Sequence, residues 1–327
     1  MTEVVPDAKV LTQAVQLACR APSLHNSQPW RWVAEGGVLH LFADPTRIGQ
    51  ATDSTGREVV ISCGAVLDHL RVAMAAAGWE SHIDRLPDPN HRDHLATIQF
   101  SPAVFVTDAE RARAEAITRR RTDRLPFIAP AQWDVFESLL RATIDASVVD
   151  LDVISDDARS ELAEASRLTE DLRRYDSSYQ AELRWWTTQE ESPQGIPPRA
   201  LLSETEARRV DVGRAFPTDD HGLRRAAIYR DRCKILVLST HDDSRGRVLR
   251  CGEVLSTVLL ESTVARLATC TLTHLIEVNA SRELVRRLTG RTAEPQLLIR
   301  VGKAPDTKPP APATPRRPVA DVLEIRG

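Results

Sequence analysis

Two short segments of this 327-residue chain bring together residue types that could do chemistry in concert. The first is Arg119-Arg120-Arg121-Thr122-Asp123-Arg124, which sets several forked guanidinium donors around a short hydroxyl. That set suits a phosphate monoester, which carries nearly two negative charges and several acceptor oxygens. A solvated basic face at a helix C-terminus has the same sequence signature, because arginines also suit the negative end of the helix dipole. The second segment, Ala21-Pro22-Ser23-Leu24-His25-Asn26-Ser27-Gln28-Pro29-Trp30, lies where a helix must end and a strand begin. Its short polar side chains, Ser23 and Asn26, can bond to nearby backbone amides, and Trp30 suits a core position. On chemistry alone it reads equally well as a capped helix end.

Other chemistries find no support. No GxGxxG and no GxxxxGK[ST] occurs, which argues against a classical dinucleotide fold or a P-loop. His91-Arg92-Asp93 imitates a kinase catalytic loop, but no asparagine follows at the required spacing. His91 and His94 are three residues apart without partner carboxylates at ligand spacing, so no metal site is expected. No serine or cysteine stands in a nucleophile elbow, and no side-chain acid or base is singled out.

The bulk composition is that of an ordinary globular protein, with 42% hydrophobic and 27% charged residues. A formal net charge of −3 gives no electrostatic case for nucleic acid or an anionic membrane. Four of the 43 basic residues are lysine and the other 39 arginine, a skew that fits a GC-rich bacterial genome and supplies phosphate-compatible forks. The N-terminus shows no signal-peptide pattern, and no apolar run has the length of a membrane span. Five cysteines (Cys19, Cys63, Cys233, Cys251 and Cys270) are scattered and never paired as CxxC, which predicts reduced thiols and a cytoplasmic protein.

The elements that must position the two segments follow from periodicity. Residues 8–21 predict a helix stopped by Pro22, and a hairpin turns at Gly36–Gly37. A long apolar helix spans 57–77, with short strands near 80–86 and 95–100. A charged helix at 109–120 runs into the arginine segment, and a further helix covers 131–146. After the strand VVDLDVI, Ser155 predicts the start of one helix reaching to Trp186. From about 189 to 232 the periodicity fades, in a stretch too long for a plain connection. CKILVLST and PQLLIRVG predict strands, and 246–267 and 281–289 helices. The Pro-rich tail from 303 to 327 is expected to run extended over another surface. This order of elements is that of an α+β fold.

One internal similarity is sharper. REVVISCGAVLDHLRVAMAAAG, from Arg57, matches RGRVLRCGEVLSTVLLESTVAR, from Arg245, at a shift of 188 positions. Val60 falls on Val248, Cys63 on Cys251, Gly64 on Gly252 and Leu67 on Leu255. Chance agreement of two apolar helices is the competing reading, and the repeated cysteine–glycine pair favours duplication.

Ala21–Trp30 resembles the APSxxNxQPW segment of FMN-dependent nitroreductases. Arg120–Arg124 resembles the R-x-[ST]-x-[RK] segment with which that family grips the FMN phosphate. The C-terminal stretch from Glu283 through Gly290, PQLLIRVGKAP and Pro315-Arg316-Arg317-Pro318 is similar to the family's usual finish. In ordinary members the arginine segment comes first and a two-fold dimer builds each site from both chains. Here the first half holds only APSLHNSQPW, and the second half holds RRRTDR but lacks the serine–asparagine loop. The resemblance points to the dormancy-associated, Acg-type nitroreductase-like branch. It implies a nitroreductase-like fold made of two fused half-repeats, 1–106 and 107–327, forming an internal pseudo-dimer with helices on both faces of the sheets.

One composite FMN site per chain is then expected. Arg120, Arg121, Thr122 and Arg124 are implied at the phosphate and ribityl chain, with Arg316 and Arg317 adding to the phosphate site. Pro22, Ser23, Leu24 and Asn26 are implied at the ribityl and ring edge. Thr271, Leu272 and Thr273 lie where the family offers backbone amides, although the usual glycine is missing. His25 occupies a position that faces substrate in ordinary members. The implied partners are FMN, NAD(P)H and a quinone or nitro acceptor, in a monomer or weak homodimer. Two functions stand open: a reductase, or an FMN-sequestering protein with 189–232 as a lid and Trp185 and Trp186 as candidate apolar contacts.

Overall fold

The computed structural model describes residues 5–47, 49–188, 192–217, 222–305 and 313–326. In the first half, helix α1 (Ala8–Ala18) starts at Asp7, whose side chain accepts from the Val10 amide at 2.8 Å. Strands β1 (Trp30–Glu35) and β2 (Val38–Ala43) form the expected hairpin, with Gly36 and Gly37 at φ 58° and 80°. Helix α2 (Arg57–Ala76) leads to β3 (Trp79–Arg85) and β4 (His94–Pro102). Helix α3 (Asp108–Arg119) opens with a capping box between Thr107 and Glu110 and delivers the chain to the arginine segment.

The second half runs through α4 (Trp133–Thr143), β5 (Asp150–Val153), α5 (Arg159–Arg174) and α6 (Ser177–Thr187). It continues with α7 (Glu204–Ala207), β6 (Lys234–Thr240), α8 (Arg245–Val264), β7 (Ala268–Leu272), α9 (Asn279–Thr289), β8 (Glu294–Gly302) and β9 (Leu323–Ile325). The single helix expected from Ser155 to Trp186 is two helices. Asp176 breaks it by accepting from the Tyr179 amide at 3.0 Å, an N-cap that competes with continuing the helix. Strands β7 and β9 were not anticipated, being only five and three residues long.

Two sheets result, in the orders β3-β4-β2-β1-β9 and β5-β6-β8-β7. The tail crosses back to the first half, where β9 pairs in parallel with β1 and Trp32 N–H donates to Val322 O at 2.7 Å. One continuous core joins Trp30, Trp32 and Leu67 of the first half to Leu236, Leu255 and Leu297 of the second.

At its centre α2 and α8 cross at glycine. A Cβ on Gly64 would collide with Leu249 O and lie 2.9 Å from the Gly252 Cα. A Cβ on Gly252 would collide with Ile61 O and lie 2.9 Å from the Gly64 Cα. The reciprocal contacts obey the same 188-residue shift, as expected for an isologous, two-fold crossing. Among the described residues α2 is the one helix long and apolar enough to cross a membrane, and most of it is buried inside the protein. All five cysteines are free and buried.

Candidate functional site

The loop after α1 holds three non-glycine residues at positive φ within four positions: His25 (49°), Asn26 (59°) and Gln28 (51°). Such strain persists only where surrounding contacts over-determine it. Leu24 N–H donates to Ser62 Oγ of α2 at 3.1 Å, and Gln28 N–H donates to Ser23 Oγ at 3.0 Å. The Gln28 side chain donates to Pro193 O at 2.6 Å and accepts from Arg317 N–H at 2.9 Å. The arginine segment is fixed with equal care. Asp123 N–H donates to Thr269 O at 2.9 Å, and buried Arg300 donates to the carbonyls of Arg124 and Leu125, both at 3.1 Å.

Between the two segments opens a cavity of about 1130 Å³, counted out to the solvent at its mouth. Pro22, Ser23, Leu24 and His25 line one wall and Thr122, Arg124, Thr271, Leu272 and Thr273 another. Glu58, Ile61 and Ser62 of α2 and Leu255 of α8 lie between them. The roof comes from the non-periodic stretch, through Leu202, Ala207, Val210 and Gly213–Phe216. Arg124 is half-buried, stacks 5.3 Å over the Phe216 ring and, among the described residues, donates to Ala200 O at 3.4 Å. Burial pushes its pKa down from the usual guanidinium value.

His25 is buried against the rings of Phe216 (5.9 Å) and Trp186 (6.2 Å), and neither ring nitrogen has a hydrogen-bond partner among the described residues. Burial, then Arg214 and Arg124, hold it well below the usual imidazole range, so it is neutral. Trp186 is buried and Trp185 half exposed, and neither lines the cavity.

Asn26, Arg120, Arg121, Arg316 and Arg317 are not cavity-lining residues. Arg120 and Arg316 converge behind the turn that precedes Pro22. Arg120 Nη2 donates to Arg20 O at 3.0 Å, and Arg316 donates to the carbonyls of Cys19, Arg20 and Ala21 at 3.1–3.2 Å. Burial and the neighbouring arginines push Arg120 down to about 10 and Arg316 down to about 9. Arg20, which the sequence reading did not single out, completes the cluster with its Nε buried and unpartnered, as is Nε of Arg120. Among the described residues no carboxylate pairs with Arg20, Arg120 or Arg316. Arg121 lies nearby and donates to the carbonyls of Thr118 and Arg120. Asn26 donates to Pro315 O at 3.2 Å, leaving its Oδ1 without a partner. Arg317 turns to Asp44 (3.9 Å) instead.

The chain is 57% identical over 326 residues to the NAD(P)H nitroreductase acg of Mycobacterium tuberculosis, covering 100% of this chain and 98% of that protein. The chain belongs to the Acg-type nitroreductase family. A second M. tuberculosis protein, named as the NAD(P)H nitroreductase Rv3131, is 37% identical and covers 98% of this family member and 92% of its own length. No protein-family model matches the chain. A solved nitroreductase structure from Anabaena variabilis superposes with a TM-score of 0.51 over 93% of this chain and 90% of its own, at 8% identity. That likeness carries the fold, which is the nitroreductase fold.

Several site residues of this nitroreductase-family chain escaped the sequence reading. Glu58 had one visible signal, a carboxylate at the second position of a helix that then runs apolar or small from Val59 to Leu67. Arg214 and Phe216 had none, because their stretch has no periodicity. Of the 189–232 segment read as a lid, 189–191 and 218–221 lie outside the described residues, as do 306–312 of the tail.

Proposed function

We propose that this chain binds one FMN in the roofed cavity and uses it for NAD(P)H-dependent reduction of quinone or nitro compounds. The observation that carries this is the Arg20–Arg120–Arg316 cluster, held on the carbonyls just before the cavity-lining Pro22: among the described residues no carboxylate pairs with these cations, and a phosphate monoester meets both their charge and their forked geometry. These residues would hold the phosphate, with Arg121 beside them. Thr122 and Arg124 would meet the ribityl chain and ring edge, facing Pro22, Ser23 and Leu24. Thr271–Thr273 would flank the ring, and Asn26 and Arg317 would steady the loop and tail around it.

Flavin supplies the hydride chemistry when bound, and the chain supplies binding, orientation and exclusion of water. The two-fold crossing of α2 and α8 supports halves 1–106 and 107–327 as an internal pseudo-dimer, complete as a monomer. The names of the M. tuberculosis relatives support nicotinamide as reductant.

A second reading, an FMN holder with slow turnover, is favoured by how the roof is pinned. Arg214 forms a buried ion pair with Glu277 and donates to the Tyr179 hydroxyl at 2.7 Å and to Thr273 Oγ1 at 2.9 Å. Anaerobic stopped-flow mixing of the FMN-loaded chain with NADPH or NADH separates the two. Flavin bleaching faster than turnover with a quinone is expected for the reductase, and bleaching over minutes or none for the holder. Failure of the purified chain to take up FMN at one per chain would overturn both.

A further inference from the structure

A second cavity lies behind the first, lined by the loop Ala51–Gly56, by Arg245 and Val248 of α8, and by Glu277, Asn279 and Arg282 around the start of α9. One residue lines both cavities: Glu58. We propose that Glu58 is a proton donor to the inner cavity, recharged with protons from the outer one. The proposal rests on the reductase reading above and names a residue for its proton chemistry.

Glu58 is 3% exposed, and its Oε1 lies 2.6 Å from Nη2 of Arg57. Among the described residues it is the one carboxyl group on the inner cavity wall. Two other groups on that wall could in principle move a proton, and both are held out of range. His25 is kept neutral by burial, and burial pushes the Cys270 thiol up. Burial lifts Glu58 to about 7, and Arg57 opposes that rise. Glu277 and Asp53 raise it further, whereas Arg214 lowers it. Arg282 of α9 and the Cys251 thiol of α8 also lie within reach of its charge. The group therefore exchanges its proton near neutrality, where a general acid is most effective.

The step balances. Reduction of a quinone to a hydroquinone takes one hydride and one proton, and the hydride originates in a dihydronicotinamide that leaves as the pyridinium. The proton leaves Glu58 as its O–H bond breaks, and a new O–H bond forms on the quinone oxygen. The electron pair of the broken bond stays on the carboxylate, which faces the Arg57 guanidinium. A solvent proton reaching Glu58 through the outer cavity restores the acid.

The test has two arms on the full chain. In the first, infrared titration of the cofactor-free protein should show a buried carboxylic acid that loses its proton with a midpoint near 7. The Glu58 share of that signal should be missing from Glu58→Gln, leaving the share of Glu170. Glu170, which burial also lifts to about 7, serves as the internal control. In the second, the FMN-loaded protein is reduced and mixed with a benzoquinone. The wild-type rate should fall above pH 7, and Glu58→Gln should be slower by about 10²-fold with a flat pH profile. Glu58→Asp should recover part of the rate and of the pH dependence, with FMN affinity unchanged in both variants. A Glu58→Gln protein with the wild-type rate and profile, or an unchanged infrared titration, would overturn the assignment. If the wild type takes up no FMN, the reductase reading fails by itself, and the infrared arm still decides whether Glu58 holds the proton.

Discussion

The two ends of the α2–α8 pair are related by one sequence shift and have opposite fates. At one end Glu58, Ile61 and Ser62 face the inner cavity. The shift carries them to Gly246, Leu249 and Arg250 at the other. There Leu86 lies against Gly246, 3.7 Å from where its Cβ would be, Leu249 is buried, and Arg250 turns to solvent. The loop after α1 is tied down by the hydroxyl of Ser62, whereas the loop after α4 is held by Arg247, which donates to Ser147 O at 2.9 Å. In a symmetric dimer every substitution acts on both sites at once. Within one chain each end changes alone, so a cavity can be kept at one end while the other end is filled. The crossing itself is still shared and stays symmetric.

The largest expected effect lies at that shared element. Gly64→Val and Gly252→Val each force a side chain into backbone less than 3 Å away. Each should cost about 3 kcal/mol or more, read from urea unfolding, and the two losses should match. A variant that loses under about 1 kcal/mol while its mate unfolds would break the two-fold reading of the crossing.

The next effect separates the ends through pH. Glu58 is lifted from 4.5 to about 7 in the folded state. Below 4.5 both states hold the proton and the stabilisation is complete. Between 4.5 and 7 the folded state keeps a proton that the unfolded chain releases, so stability falls as pH rises, by about 3 kcal/mol in all. Glu58→Gln mimics the protonated form. It should match wild type at pH 4.5 and exceed it at pH 8, measured as denaturant midpoints. Parallel curves at the two pH values would place the titration elsewhere.

A third comparison sets Arg316 against Arg247, one arginine from each end. Arg316→Gln should weaken FMN binding by about tenfold to a hundredfold, the worth of one charged hydrogen-bond donor. It should also stabilise the cofactor-free protein. Arg316 is pushed down to about 9, so its cost is fully present below pH 9 and is relieved only as pH rises beyond it. Arg247→Gln should leave the FMN Kd within twofold. Equal losses in the two variants would mean that general positive charge, rather than the cluster, attracts the flavin.

The long apolar helices and the two loop motifs were the parts legible in the sequence. REVVISCG and RGRVLRCG share a cysteine and glycine in one helical frame, and α2 and α8 each begin on the arginine of that match and run 20 residues. The two loop motifs announced themselves by residue type, and Pro22–Leu24, Thr122 and Arg124 do share one cavity. What was illegible depends on distance in the chain. Arg214 and Glu277 are 63 residues apart and meet only when the roof folds over a smaller apolar cluster of Val212, Ile235 and Leu298. Arg20 looked like any arginine at a helix end until Arg120 and Arg316 were brought beside it. Asp176 could have been an exposed position on one long helix, and only its cap to Tyr179 shows the break.

The smallest expected effect concerns the roof, which exists over one end of the pair and has no repeat at the other. Its middle is pinned by Arg214–Glu277, and its far end by Asp231, which accepts from Phe127 N–H at 2.7 Å and from Arg300 at 2.8–2.9 Å. Removing one member of the buried Arg214–Glu277 pair would strand the other charge and confuse gating with unfolding. Replacing both, as Arg214→Met with Glu277→Met, removes the polar tie while keeping volume, and such exchanges are often neutral for stability. Flavin reduction by NADPH requires the nicotinamide to reach the ring, so a closed roof lowers the rate by its open fraction. The double variant should therefore keep FMN and bleach about tenfold faster, equivalent to about 1.4 kcal/mol of roof closure. A variant that binds FMN and bleaches no faster would show that Arg214–Glu277 only braces the wall. One that loses FMN would make the pair part of the binding surface through Thr273, to which Arg214 donates.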